Sequence, residues 1–310
     1  MKRFTLKLGL LLGVNALVGL AVLTVLDMGR SYEQWQHDSV LSVTPRNTDF
    51  DLVMLGSSRA KRLTRLKPNL ECLERELAAK VLGMGSPFGG GIVPAKLYLG
   101  NFYDRGNRAK TVLFLLDPFI LFSRGPNEGH KLVYFEPFRL SFLTRMILNG
   151  FDHRRIVTYV RTKFSLAWLT QAPSELGYYR KALTPEDLDP ERLRMRMDSL
   201  YPDGLDEAHF NRYAKVLGEI LEMCQRHNTR MVIAFPTTLL GPDPGRPKVL
   251  ELLDEYAKRY DFEFYDFTDA VTDPGLFADY DHLNSMGVEY FVSNSLKHVL
   301  HSAPRTVHLL

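Results

Sequence analysis

Residues 51–60 read DLVMLGSSRA, a short apolar run that ends on Gly56, two adjacent hydroxyls and Arg59. An apolar stretch of this length suits a strand buried on both faces of a parallel sheet. The serines after it admit two readings. One is a helix N-cap, where serine accepts a bond from an orphan backbone N–H. The other is a nucleophile held at a strand end, and choosing it requires a partner base elsewhere in the chain.

Downstream the pattern repeats. RLKPNLECLERELAAK carries Leu66, Leu70, Leu73 and Leu77 at helical spacing. A second strand, Lys80-Val81-Leu82-Gly83, runs into the glycine-rich MGSPFGGG, which reads as a tight turn or a phosphate cradle lacking the G-K-[ST] ending of a P-loop. KLYLGNFYDR then reads as a helix and residues 111–117, TVLFLLD, as a third strand. Near the C-terminus FNRYAKVLGEILEMCQRH, RMVIAFP, PKVLELLDEYAKRY, FEFYDF and MGVEYFVSNSLKHVL read as helix, strand, helix, strand and helix. Strands alternating with helices imply right-handed crossovers, and five of them predict an α/β fold with a three-layer α/β/α sandwich around a parallel sheet.

Between Asp117 and about Tyr201 the alternation fails, and FEPFRLSFLTRM, HRRIVTYVRTK and ERLRMRM mix aromatic and basic residues. So long a stretch inside a compact domain is not expected to be structureless. It reads as a mostly helical insertion over about residues 120–205. Its arginines and aromatics either grip a polysaccharide, lie against lipid headgroups or form a solvated basic face.

The N-terminus differs from the rest. After Lys2, Arg3 and Lys7, residues 8–26 read LGLLLGVNALVGLAVLTVL, about the length of a bilayer-spanning helix. Eight Leu and four Val at about −0.4 kcal/mol each favour insertion by roughly 5 kcal/mol, partly offset by Asn15 and the glycines. A cleaved signal peptide is the alternative, but its apolar region is normally shorter and no clear A-x-A site precedes Asp27. The expected layout is a cytoplasmic N-terminus (1–7), a transmembrane signal anchor (8–27), a stalk (28–49) and a domain over 50–310 outside the cytoplasm, periplasmic or extracellular.

A net charge of +3 spread over 39 basic and 36 acidic residues leaves no broad nucleic-acid footprint. Cys72 and Cys224 either pair in an oxidising compartment or act as two buried thiols. With two cysteines and no clustered histidines, no metal or other cofactor is expected.

Ligands of open α/β sheets bind outside the carboxyl ends of the strands. GSSR, MGSPFGGG and Asp117 sit at such ends, and so does DAVTDPGLFADYDHLNSMG after the last strand. There Asp279 and His282 lie three apart, with Asn284 or Ser285 placed to cap the final helix. An aspartate so spaced can accept the Nδ1 proton and leave Nε2 free to take a proton from serine. Asp281, the immediate neighbour, is poorly placed for this.

The pair of blocks resembles the SGNH, or GDSL-like, hydrolase superfamily, matched by Gly56-Ser57-Ser58 at the start and Asp279-Tyr280-Asp281-His282 at the end. GSSR and His282-Leu283-Asn284-Ser285-Met286-Gly287 look most like its membrane-associated branch, which includes alginate O-acetyltransferase-like proteins and the D-alanine transfer proteins of teichoic acid. The resemblance covers about residues 50–120 and 205–300. It implies a flavodoxin-like strand order 2-1-3-4-5, with Ser58 as nucleophile, His282 as base and Asp279 as its orienter. The oxyanion would be received by the backbone N–H groups of Ser58 and of Gly85 or Ser86. The family's third block, usually G-x-N-D, is replaced by Leu115-Leu116-Asp117-Pro118, so the asparagine donor is missing. Arg59 and Asp117 are candidate substrate contacts; Arg59 is also a candidate replacement donor, or else simply caps the helix. The implied activity is an acyl esterase or O-acyl transferase working on cell-envelope or exported polysaccharide. Its implied partners are an acyl donor, a glycan acceptor and a membrane acyltransferase. The rival is a non-catalytic protein that keeps the fold to bind glycan or an assembly partner.

Overall fold

The computed structural model describes residues 2–28, 39–85, 90–129, 133, 136–163 and 181–301. Five strands form one parallel sheet: β1 (Asp49–Gly56), β2 (Val81–Gly83), β3 (Arg108–Leu115), β4 (Arg230–Phe235) and β5 (Glu263–Asp266). Their order is β2-β1-β3-β4-β5, the expected 2-1-3-4-5. In chain order the helices are α1 (Lys2–Met28), α2 (Val40–Val43), α3 (Ser58–Thr64), α4 (Lys67–Leu77), α5 (Ile92–Asp104), α6 (Arg124–Glu128) and α7 (Leu140–Leu148). They continue with α8 (His153–Lys163), α9 (Pro190–Leu200), α10 (Glu207–Arg226), α11 (Arg246–Ala257), α12 (Ser285–Phe291) and α13 (Lys297–His301).

Period-two alternation along the central strands builds two separate cores. Val53, Leu55, Val112, Phe114, Met231 and Ile233 face one of them, with Leu97, Phe102, Leu217, Ile220 and Leu253 of α5, α10 and α11. Leu52, Met54, Leu113, Leu115 and Val232 face the other, with Leu73, Leu77, Val288 and Phe291 of α4 and α12. Both strand faces are therefore dry, which is why these segments read as unbroken apolar runs.

Several boundaries differ from the sequence reading, each for a packing reason. β3 starts at Arg108, before the expected residue 111, because Arg108 and Ala109 continue the ladder against Asp49 and Phe50. The expected stalk ends earlier than residue 49, since Val40 and Leu41 are buried in the core. Glu136 of the insertion fixes them, accepting from Ser39 Oγ at 2.7 Å, Val40 N at 3.0 Å and Leu41 N at 2.9 Å. A buried carboxylate thus satisfies the open N–H groups of a helical turn. The final helix is interrupted by a π-helical turn, Val292–Leu296.

Among its described residues the insertion carries the helices α6 to α9 joined by short non-helical segments, and residues 164–180 lie outside the described set. Helix α1 is 27 residues long. Among the described residues no helix is long and apolar enough to cross a membrane, the side chains of residues 2, 3, 20 and 23–28 of α1 lying outside them. The loop expected before the last helix contains a small antiparallel hairpin, β6 (Phe277–Asp279) with β7 (His282–Leu283).

Candidate active site

β1 ends with a sharp change of direction at Gly56, whose φ is +144°. A Cβ there would stand 2.8 Å from the Leu115 carbonyl oxygen and 2.9 Å from Ala60 Cβ, so glycine is required by conformation and by space. The chain enters α3 at once, with Ser57 as N-cap accepting from Arg59 N at 3.3 Å. The cap reading of GSSR therefore holds for the first of its two serines. Ser57 is the cap, and Ser58 is the first helical residue, with its side chain at the carboxyl edge of the sheet.

At the other end of the chain, the β6–β7 hairpin pairs Asp279 directly with His282. Cross-strand neighbours are close enough for their side chains to meet. His282 Nδ1 lies 2.9 and 3.0 Å from the two Asp279 carboxylate oxygens. That contact assigns the proton to Nδ1, and Nε2 then accepts from the Ser58 hydroxyl at 2.6 Å. Ser58 and His282 are 224 residues apart in the chain. Asn284 caps α12 by accepting from Gly287 N at 2.9 Å, and its amide donates to the carbonyls of Gly275 and Lys181.

Arg59 and Asp117 stand differently from the substrate-contact expectation. Asp117 is fully buried and accepts from Ser57 Oγ at 2.6 Å. Arg59 Nη1 lies 2.7 Å from its other oxygen, while Arg59 Nη2 lies 3.4 Å from Asp281 Oδ2. Their side chains are 10% and 1% exposed, so both charges are committed to each other and not presented to solvent. The buried Asp117 carboxylate is therefore turned toward the Ser57 cap and Arg59. Gly85 packs against the first turn of α3, where a Cβ would collide with Lys61 N, and Gly90 packs against the Gly56 carbonyl. Ser86 lies outside the described residues.

The sequence reading missed two residues of the site. Asp281, set aside as a mere neighbour, has Oδ1 3.4 Å from His282 Nδ1. Arg196, from α9 of the insertion, bonds both Asp281 oxygens, Nε to Oδ1 at 3.3 Å and Nη2 to Oδ2 at 2.8 Å. Nothing in ERLRMRM distinguishes Arg196 from the arginines beside it; only packing selects it.

The electrostatics follow from burial and these partners. Burial alone would lower the His282 pKa, but hydrogen bonds and charge from Asp279 and Asp281 carry it above the ordinary imidazole value. Burial would raise the Asp281 carboxyl, yet the hydrogen bond and charge of His282, with Arg59 and Arg196, hold it well below the usual range. Burial raises Asp117, and the Arg59 guanidinium and Ser57 hydroxyl oppose that rise.

Asp279, Asp281 and His282 are close enough together to suggest metal ligands. Their donor set argues otherwise, because Nδ1 meets both carboxylates within hydrogen-bond range and Asp281 already faces two guanidinium groups. A cation placed there would be repelled by Arg59 and Arg196. The cysteines are free thiols, both buried. Burial pushes the Cys224 thiol up to about 12.

A scan against protein-family models and a search of curated proteins both find no match to this chain.

Proposed function

We propose that the chain is a serine-dependent acyl esterase or O-acyl transferase, of SGNH-like type, acting on exported or cell-envelope polysaccharide. The observation that carries this reading is the relay from Asp279 through His282 to Ser58, closed at 2.9 and 2.6 Å. In the proposed reaction Ser58 Oγ attacks the acyl carbonyl while His282 Nε2 takes the hydroxyl proton. The tetrahedral oxyanion collapses, His282 returns the proton to the leaving alcohol, and an acyl-serine remains. Water or a glycan hydroxyl then attacks, activated by the same imidazole, and Ser58 is regenerated. Asp279 holds the ring in the required tautomer and offsets the imidazolium charge. The Ser58 N–H, with Gly85 or Ser86, is the proposed oxyanion contact.

The apolar run of residues 8–26 within α1 supports a membrane anchor that holds the domain outside the cytoplasm, because 27 helical residues extend about 40 Å, longer than a bilayer's hydrocarbon core. In that setting the acyl donor is taken to reach the site from a membrane acyltransferase partner, with the glycan as acceptor.

One observation favours a second reading, a non-catalytic glycan or assembly binder. Asp117 stands where the family's asparagine donor is expected, and losing one oxyanion donor costs about a hundred- to a thousandfold in turnover. The test is the full chain in detergent micelles, treated with a fluorophosphonate probe and with p-nitrophenyl acetate beside Ser58→Ala and His282→Ala. Labelling and turnover that vanish in both variants support the enzyme. A wild-type chain that neither labels nor turns over ester supports the binder.

A further inference from the structure

The insertion does more than lie beside the sheet. Leu183 N donates to the Phe277 carbonyl at 3.1 Å, Asn284 Nδ2 to the Lys181 carbonyl at 3.2 Å, and Tyr280 Oη to the Asp187 carbonyl at 3.1 Å. These bonds tie residues 181–187 to the hairpin that carries His282 and to Asn284, the helix cap that follows it. Arg196 completes the attachment by reaching Asp281 across 85 residues of chain.

Asp281 is thereby held from two sides. Arg59, the residue after the nucleophile, approaches from α3 and Arg196 from α9. The Asp281 side chain is 5% exposed, and its Oδ1, which accepts from Arg196 Nε, also lies 3.4 Å from His282 Nδ1. Other groups facing the imidazole are Asp279 on the same hairpin, Ser58 at Nε2 and, at longer range, Asp117 at the end of β3. Nδ1 therefore meets two carboxylates, one partly exposed and one buried with its charge balanced by two arginines.

We propose that Asp281 is a second positioning residue for His282, and that Arg196 of the insertion sets how strongly it raises the imidazole's basicity. This rests on the reading of Ser58 and His282 as nucleophile and base. An anion beside Nδ1 favours imidazolium, while a guanidinium behind that anion subtracts from its field. The two residues therefore pull the pKa of the base in opposite directions. A purely structural clamp would not do this, since loss of either half would loosen the hairpin in the same way.

The test is NMR titration of the His282 imidazole in the full chain in micelles, assigned by comparison with His282→Gln and independent of any reaction. The pH profile of fluorophosphonate labelling is measured in parallel. Asp281→Asn, which keeps size and an acceptor oxygen, is expected to lower the His282 pKa by about one unit. Arg196→Gln is expected to raise it, and Arg196→Lys to return it toward wild type. The acid limb of labelling should move with each. If Asp281→Asn does not fold, Arg196→Gln carries the test alone, because its side chain is 39% exposed and its loss leaves Asp281 paired with Arg59. The inference is overturned if Arg196→Gln leaves the pKa in place, or if both variants shift it the same way. A chain that never labels but whose imidazole shifts in opposite directions refutes the enzyme reading and leaves the electrostatic coupling standing.

Discussion

Arg59→Met separates the buried ion network from the rest of the fold. Its guanidinium is shared between Asp117 and Asp281, at 2.7 and 3.4 Å. When it is removed Asp281 retains Arg196, whereas Asp117, among the described residues, keeps the Ser57 hydroxyl as its hydrogen-bond partner. The loss therefore falls on one fully buried carboxylate. Stranding one partner of a buried pair costs about 3–5 kcal/mol. Protonation limits that cost, because neutralising an aspartate at pH 7 from an unfolded pKa near 3.9 takes about 4 kcal/mol. Burial has already raised Asp117 in the intact protein, so part of this limit is present there too. The expected loss is about 2–4 kcal/mol at pH 7, a large fraction of a typical domain's stability.

The pH dependence has a definite sign. Without Arg59 the folded pKa of Asp117 rises further above its unfolded value. The folded state then binds one more proton than the unfolded state over a wider range, and the variant gains stability as pH falls. Between the folded pKa of the parent and that of the variant, their difference should shrink by about 1.4 kcal/mol per pH unit of acidification. Urea unfolding of the full chain in micelles, followed by intrinsic fluorescence at several pH values, measures it. Asp117→Asn in the Arg59→Met background should recover most of the loss. A penalty under about 1 kcal/mol, or one that grows on acidification, would refute the argument that Arg59 serves a buried carboxylate.

Other outcomes are expected. Because His282 is raised above its ordinary value by its carboxylates, the acid limb of probe labelling should lie above about pH 6.5. Asp279→Asn should move that limb down and reduce the plateau by about three to four orders of magnitude, through the wrong tautomer at Nδ1. A wild-type limb at or below pH 6 would contradict the charge arrangement around the ring. Gly56→Ala should destabilise by about 2–4 kcal/mol, from a strained positive φ and the clash with the Leu115 carbonyl; an unchanged urea midpoint would count against a glycine requirement at this turn. Cys72 and Cys224 are both buried thiols, so a thiol reagent should detect neither in the folded chain and both after unfolding. Prompt reaction of either in the native state would contradict their burial.

Much of this protein is legible from local pattern. Dry strands with helical spacing between them specify a parallel α/β sheet, because β1, β3 and β4 are buried on both faces and leave no polar side to alternate. Asp279 and His282 are legible as a pair since three residues of chain and one hairpin turn suffice to bring them together. Ser58 is less so: sequence places it at the right sheet edge, but its 2.6 Å approach to His282 spans 224 residues and is made by strand order and crossover hand.

Tertiary structure alone assigned Arg59, Asp117, Asp281 and Arg196. Arg59, read from sequence as a substrate contact or a helix cap, and Asp117, read as a candidate substrate contact, pair with each other because the ends of β1 and β3 lie side by side and each charge is the other's nearest compensation. Arg196 is one arginine among several until α9 packs over the hairpin. DLVMLGSSRA by itself therefore determined a strand, a turn and two hydroxyls in helix-start position. Which hydroxyl meets a base, and which arginine is buried beneath it, depend on contacts between segments far apart in sequence, and local propensity carries no record of those.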